Sequence, residues 1–395
     1  MDGWLFYSFR ESDPIAANIL GTGGGGHIAT RRWFYLIPRS GEPVKIVHSI
    51  EREVLDHLPG KKLIYLPWQQ LHEHIRGSLL GLTNQRSPIV AMQYSPGGAI
   101  PYLSRLDAGT AELIRSFGVE IVTSADLVNR FESAWNDDQL AEHDEAGRGL
   151  YDVVHQAFAE IGRRLRGSEH TTEYDIQQFI LERFDERGLI SRDPPIVAVN
   201  ANSASPHYEP TNQVNSVIRA DDFVLIDLWA KTKQPGSVYA DITWTAFAGS
   251  SVPKEVEQVF GVVRDARDAA VRYVTEAFQD GRGIYGWQVD DVCRAVIKDA
   301  GYGQYFIHRT GHNIHTEVHG NGANIDNLET QDNRRLLPRT CFSIEPGIYL
   351  PGDFGVRSEI NVALTSTGAP TLDGAPAFAV EVTGGPPQRE LLRLL

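Results

Sequence analysis

The chain has 395 residues, 42% hydrophobic and 22% charged, the make-up of a soluble globular protein with length for about two domains and a sizeable core in each. Its 37 Lys+Arg against 51 Asp+Glu leave a net charge of −14, which repels phosphate backbones and argues against nucleic acid as a partner. No run approaches the ~18 consecutive apolar residues of a membrane span, and the start, MDGWLFYSFR, lacks the basic region and long apolar core of a secretory signal.

In chain order, LIYL (63–66), PIVAMQY (88–94) and VEIVTS (119–124) read as strands, and LSRLDAGTAELIRSF before the last of them as a helix. Strands alternating with helices predict a small α/β domain over 1–135. The tract GTGGGGHIATRR (21–32) lacks the Gly-Lys-Ser/Thr ending of a phosphate loop and reads as a flexible surface loop. From Asn136 the pattern changes. Apolar residues from Leu140 to Leu165 fall at helical spacing, and Thr172 with Asp175 forms a capping box for a further helix to about Arg187. Stripes over Val256–Phe278 and Val289–Ile297 repeat the helix pair, and strand-like segments follow each pair, an order that hints at duplication. Cys293 and Cys341 are too few for a disulfide framework or a cysteine-based zinc site and fit a reduced, cytoplasmic setting.

Carboxylates then appear where apolar residues belong. DFVLIDLWAK (222–231) is an apolar strand that ends in Asp227, and YADITWTAF repeats the anomaly with Asp241. The intervening KTKQPGS reads as a turn, so the two strands form a hairpin that can bring the carboxylates together, where they repel unless they share a proton or a cation. Glu345 sits in the apolar strand CFSIEPGIYL, stopped by Pro346-Gly347, and Glu359 precedes another strand in FGVRSEINVAL. HRTGHNIHTEVHG (308–320) holds four histidines in thirteen residues. Carboxylates with an imidazole make a hard, oxygen-rich donor set suited to two divalent ions such as manganese, cobalt, iron or zinc. Two apparent alternatives fail. In LHEHIRG the second histidine of a zincin helix would be Arg76, and no Gly-x-Ser-x-Gly elbow is present.

Taken in order, LIDLWA, YADITWT, TGHNIHTEVH, SIEPGIY and GVRSEI resemble the Asp, Asp, His, Glu, Glu signature of the pita-bread metallopeptidases: methionine aminopeptidase, aminopeptidase P and prolidase, with creatinase as a metal-free relative. SIEPGIY and Gly-Val-Arg-x-Glu most resemble the proline-directed branch. The resemblance covers about residues 136–395 well and 1–135 more loosely. It implies an α+β protein with a small N-terminal creatinase-like α/β domain (1–135) and a C-terminal pita-bread catalytic domain (136–395). The implied activity is dinuclear-metal hydrolysis of short Xaa-Pro-containing peptides by a homodimer. It implies that Asp227 and Asp241 hold one ion, with Asp241 bridging, and that His312 and Glu345 hold the other, with Glu359 bridging. Glu345 would also shuttle a proton, His319 would stabilise the tetrahedral intermediate, His207 in NSASPHYEP would line the substrate site, and Arg357 would buttress it. His308 and His315 are read as supporting or packing residues. The rival readings are a creatinase-like C–N hydrolase, whose branch lacks the ligands kept here, and a binding scaffold, which would be expected to lose them.

This sequence departs from the family pattern around the site. Trp229 replaces a glycine after the first Asp, Trp244 an arginine after the second, Asn313 and His315 replace glycines, and Gly320 stands where an acidic residue often follows the second histidine. Trp229 lies two residues from Asp227 and so on the same strand face, a candidate pocket wall. Trp244 lies three from Asp241 and so on the opposite face, against helices. Arg309 or Arg357 is the expected anchor for a terminal carboxylate.

Overall fold

In the computed structural model, which describes residues 1–22, 29–370 and 376–395, the chain divides into two units, Met1–Glu132 and Ser133–Leu395. Residues 23–28, half of the glycine-rich tract 21–32, lie outside the described residues.

The first unit runs β1 (Gly3–Ser8), α1 (Pro14–Leu20), β2 (Trp33–Pro38), β3 (Val44–His48), β4 (Lys61–Tyr65), α2 (Trp68–Leu80), β5 (Ile89–Met92), α3 (Ala108–Ser116), β6 (Glu120–Thr123) and α4 (Ala125–Phe131). Its mixed sheet has the order β4-β3-β2-β1-β5-β6. Helices cover both faces. Trp4 and Phe6 pack with Ile15 and Val128 on one side, while Leu5 and Tyr7 pack with Leu71 and Ile114 on the other. That two-sided burial is why β1 reads as a continuous apolar run rather than an alternating one.

The second unit runs α5 (Asp137–Arg166), α6 (Glu173–Glu186), β7 (Leu189–Ile190), β8 (Ile196–Val199), β9 (Phe223–Thr232), β10 (Ala240–Phe247), α7 (Lys254–Gln279), α8 (Gly286–Asp299), β11 (Asn313–Ile314), β12 (Cys341–Ile344), β13 (Gly347–Tyr349), β14 (Gly355–Arg357), β15 (Ile360–Pro370), β16 (Pro376–Thr383) and β17 (Leu392–Arg393). The predicted order of two helices followed by strands thus occurs twice. Capping boxes, Asn136 with Gln139 and the expected Thr172 with Asp175, start α5 and α6, and arginines 163, 164 and 166 close α5 against its negative dipole end. Both cysteines are buried and unpaired.

The hairpin of β9 and β10 is antiparallel, as predicted, with Thr243 opposite Asp227 and Asp241 opposite Trp229. Its outer face (Val224, Ile226, Leu228, Ile242, Trp244) packs against α5 and α6. The other face belongs to a second core that α7 and α8 build with β12 and β15. One expectation is corrected. β12 ends at Ile344, so Glu345 lies just past the strand, and Gly347 opens β13 instead of only stopping β12. Pro346, which lacks an N–H, separates the two strands.

Candidate metal centre

Period-two alternation puts Asp227, Trp229, Asp241 and Thr243 on one face of the hairpin, because directly opposed residues of an antiparallel pair share a face. The other elements bring their donors to this face. His312 directly precedes β11, and its N–H bonds Ser343 Oγ at 3.0 Å. That approach requires glycine at 311, since a Cβ there would lie 1.9 Å from the Ser343 carbonyl oxygen. Glu345 leaves the end of β12 with its N–H on the Thr310 carbonyl at 2.8 Å, and Glu359 sits between β14 and β15 with its N–H on the Thr243 carbonyl at 3.3 Å.

The five predicted ligands come together. Oxygens of Asp241 and Glu359 and a nitrogen of His312 all lie within 4.8 Å of one another. His312 Nε2 is 3.6 Å from Asp241 Oδ2 and 3.3 Å from Glu345 Oε1. Asp227 joins through Arg357, whose Nη2 donates to Asp227 Oδ2. Asp227, Asp241, His312 and Glu359 are all at most 8% exposed. Asp227 Oδ1, Asp241 Oδ1 and Glu359 Oε1 are nevertheless buried without a hydrogen-bond partner. Unpaired buried carboxylate oxygens are costly. Those of Asp241 and Glu359 belong to carboxylates gathered with the His312 imidazole, a donor set that fits divalent cations bound by oxygen and nitrogen.

Electrostatics point the same way. Burial and the neighbouring Asp227 and Glu345 push Asp241 well above the usual carboxyl range. Burial and Asp241 do the same to Glu359. Glu345 is raised to about 7 by burial, which Arg357 opposes and Asp227 reinforces. Burial, then the charges of His319 and Arg309, hold His312 well below its ordinary value, as a neutral ligand would be. Arg357 is the counter-charge already present, and one guanidinium does not balance four carboxylates.

A hydrogen-bonded frame holds the cluster. Arg357 Nη1 donates to Tyr349 OH at 2.9 Å and its Nε to Thr243 Oγ1 at 3.1 Å, and Thr243 Oγ1 donates to Glu359 Oε2 at 2.8 Å. Tyr349 OH and His308 Nε2 are 2.7 Å apart, so His308 supports the frame as expected. Sequence reasoning missed Thr243, Tyr349, Ser343 and Asn361, whose Oδ1 accepts the Asp241 N–H at 3.0 Å. Thr243 was within reach of the same alternation that placed Asp241. Tyr349 was not, because the break at Pro346 interrupts the count.

The remaining candidates separate. Arg357 engages Asp227, Tyr349 and Thr243 with its three nitrogens, an arrangement that suits the expected buttress more than the alternative of a carboxylate anchor. Arg309 is half-buried and acts electrostatically on His312, His319 and Glu345. The His319 ring meets that of His312 edge-on at 4.3 Å, and desolvation with the charges of Arg309 and His207 lowers it to about 4. His207 itself is exposed. Trp229 is half-buried beside Asp241, while Trp244 turns outward onto Tyr151 and His155, at 5.6 and 4.6 Å between ring centroids. His315 bonds Thr316 Oγ1 at 3.3 Å and through its carbonyl the Tyr239 N–H, away from the ligands.

Residues 145–366 match the model of metallopeptidase family M24. An Xaa-Pro dipeptidase from Lactobacillus delbrueckii subsp. lactis is 35% identical over 173 residues, 44% of this chain and 42% of the relative. The alignments with the first curated relatives span less than two thirds of those proteins' length. Among solved structures, the dipeptidase PepE of Mycobacterium ulcerans superposes with a TM-score of 0.70 at 21% identity, over 100% of this chain and 93% of that one. An X-prolyl aminopeptidase of Caenorhabditis elegans, described as a cytosolic enzyme with a di-nuclear active site, gives 0.61 at 17% identity over 90% and 54%. At these identities the structural likeness is one of fold, and that fold is the expected one, a pita-bread domain preceded by a small α/β domain.

Proposed function

The chain belongs to metallopeptidase family M24, and from that premise we propose that it is a dinuclear-metal exopeptidase acting on short Xaa-Pro-containing peptides, of the Xaa-Pro dipeptidase or aminopeptidase P type. The observation that carries this reading is the set of buried, donorless carboxylate oxygens of Asp227, Asp241 and Glu359 gathered with His312 and Glu345. The relative named Xaa-Pro dipeptidase and the neighbour described as di-nuclear support it.

In this assignment Asp227, Asp241, His312, Glu345 and Glu359 would hold the two ions. When bound, the ions supply Lewis acidity toward the scissile carbonyl and make water nucleophilic near neutral pH. Glu345, the one of the four carboxylates that is half-buried rather than buried, takes a proton and returns it to the leaving amine. His319 donates toward the oxyanion as it forms. His207 lines the substrate side and Trp229 forms a flat wall for a proline ring. Arg309 supplies the positive charge that meets a short peptide's carboxylate. Arg357 and Thr243 keep the ligands oriented.

Manganese, cobalt, zinc and iron all suit the donor set. A cytoplasmic location fits the two unpaired thiols, and among the described residues no helix is long and apolar enough to cross a membrane. The expected assembly is a homodimer, which light scattering would measure. The test of function is metal-stripped protein reconstituted with each ion and offered Xaa-Pro, Xaa-Pro-Xaa, Xaa-Ala and longer peptides. Metal-dependent cleavage of the short Xaa-Pro substrates is expected, and no cleavage of any of them with any ion would refute the assignment.

A further inference from the structure

Between β8 and β9 the chain makes a long excursion, and His207 lies within it. A buried carboxylate closes its base. Glu173, in the first turn of α6, has no exposed surface. Its Oε1 accepts from the Val199 N–H at 2.8 Å and Asn202 Nδ2 at 2.9 Å. Its Oε2 accepts from the Ser216 N–H at 2.6 Å, the Tyr208 hydroxyl at 2.6 Å and Asn202 Nδ2 at 3.1 Å. The donors come from the start, the middle and the end of one segment, and they fill the roughly four lone-pair positions of a carboxylate. These partners are neutral, so the bonds hold backbone in place instead of balancing a charge. The dipole of α6 favours the negative charge where it sits.

The clamp is local and reaches the site. The Glu173 N–H also bonds the Ser216 carbonyl at 3.0 Å, and Thr172 bridges Val217, so the two segments run as a short antiparallel ladder. Tyr208 lays its ring on the core shared by α7, α8 and β12 and sends its hydroxyl to Glu173, while its neighbour His207 stays exposed. At the root of the segment Ser203 Oγ accepts the Gly355 N–H at 2.9 Å, two residues before Arg357.

We propose that Glu173 is a positioning residue that fixes segment 200–217 so that His207 faces the metal centre. The proposal rests on the assignment of His207 to the substrate side. Glu173→Gln keeps the volume and turns one acceptor oxygen into a donor facing donors. Amide exchange across 200–217 should then speed up in both metal-loaded and metal-free protein. With substrate, kcat/KM should fall about 10–100-fold, mainly through KM, with bound metal unchanged. Combined with His207→Ala, the two losses should be far from multiplicative, because both remove the same contact. Tyr208→Phe, which removes one hydroxyl, should give a smaller change of the same sign and serves if Glu173→Gln fails to fold. Unchanged exchange in the segment overturns the proposal, as do losses that multiply in full. Wild-type kinetics in His207→Ala overturn the link to the site while leaving the hydrolase reading intact. A wild-type protein that cleaves no Xaa-Pro peptide sinks that reading instead, and the exchange experiment then decides alone whether Glu173 holds the segment.

Discussion

The two faces of the β9–β10 hairpin share one backbone and nearly the same depth, yet they do opposite things. On the outer face Val224, Ile226, Leu228, Ile242 and Trp244 are at most 6% exposed and lie against helices. Burial there stabilises the fold by about 1.5–3 kcal/mol per large side chain. On the inner face Asp227 and Asp241 are 8% and 4% exposed, and each has a carboxylate oxygen with no donor. Burial there costs free energy until something positive arrives. Depth alone therefore does not distinguish core from site; the available partner does. The hairpin is a place where folding stability is given up for binding chemistry, and the outer face offsets the loss.

Substitutions can break this comparison at chosen points. The largest effect is expected from Glu359→Ala, which removes one of the proposed metal ligands: turnover should drop to the buffer rate and bound metal should fall with it, by peptide assay and elemental analysis. His319→Ala should lower kcat by about 10²–10³-fold, roughly 2.7–4 kcal/mol, with metal retained. A comparable loss of metal would make it a ligand instead. On the opposite face Trp244→Ala should destabilise the protein by about 3–5 kcal/mol in denaturant titration. Its folded fraction should keep normal metal content and kcat, and an altered metal stoichiometry would erase the distinction between the faces. The smallest change is expected from Trp229→Gly, which opens the wall beside Asp241: the ratio of kcat/KM for long over short Xaa-Pro peptides should rise by about 10-fold, the scale of a lost apolar contact. An unchanged ratio would leave Trp229 as packing only.

Much of this was legible in the sequence. Carboxylates ending apolar strands marked Asp227 and Asp241 because a buried charge in a strand stands out against its neighbours. Period two separated Trp229 from Trp244 because antiparallel pairing preserves it. The supporting frame was legible only in part: the resemblance named Arg357 as a buttress, but its partners were not. Tyr349, Thr243 and Arg357 meet across three separate strands, and nothing local in any of them specifies the others. Glu173 stands in a helix's first turn, where acidic residues are ordinary, and its partners lie 26 to 43 positions away. Long-range polar contacts of this kind leave no periodicity to read.

The most direct test is the melting temperature of chelated protein against protein reconstituted with a divalent ion, measured from pH 5.5 to 8. Without metal, Asp241 and Glu359 are raised and Glu345 is raised to about 7. The folded state then holds protons that the unfolded chain sheds near pH 4, and the stability tied to them is lost as pH rises through 7. The depressed His143, His308 and His315 act in the opposite sense, losing stability as pH falls below about 6.5, and they do so in both samples. Metal must displace the carboxyl protons and relieves the repulsion left behind. The stabilisation by metal should therefore be small at pH 5.5 and grow steadily toward pH 8. No metal-dependent shift at any pH would contradict the reading of the inner face as a cation site.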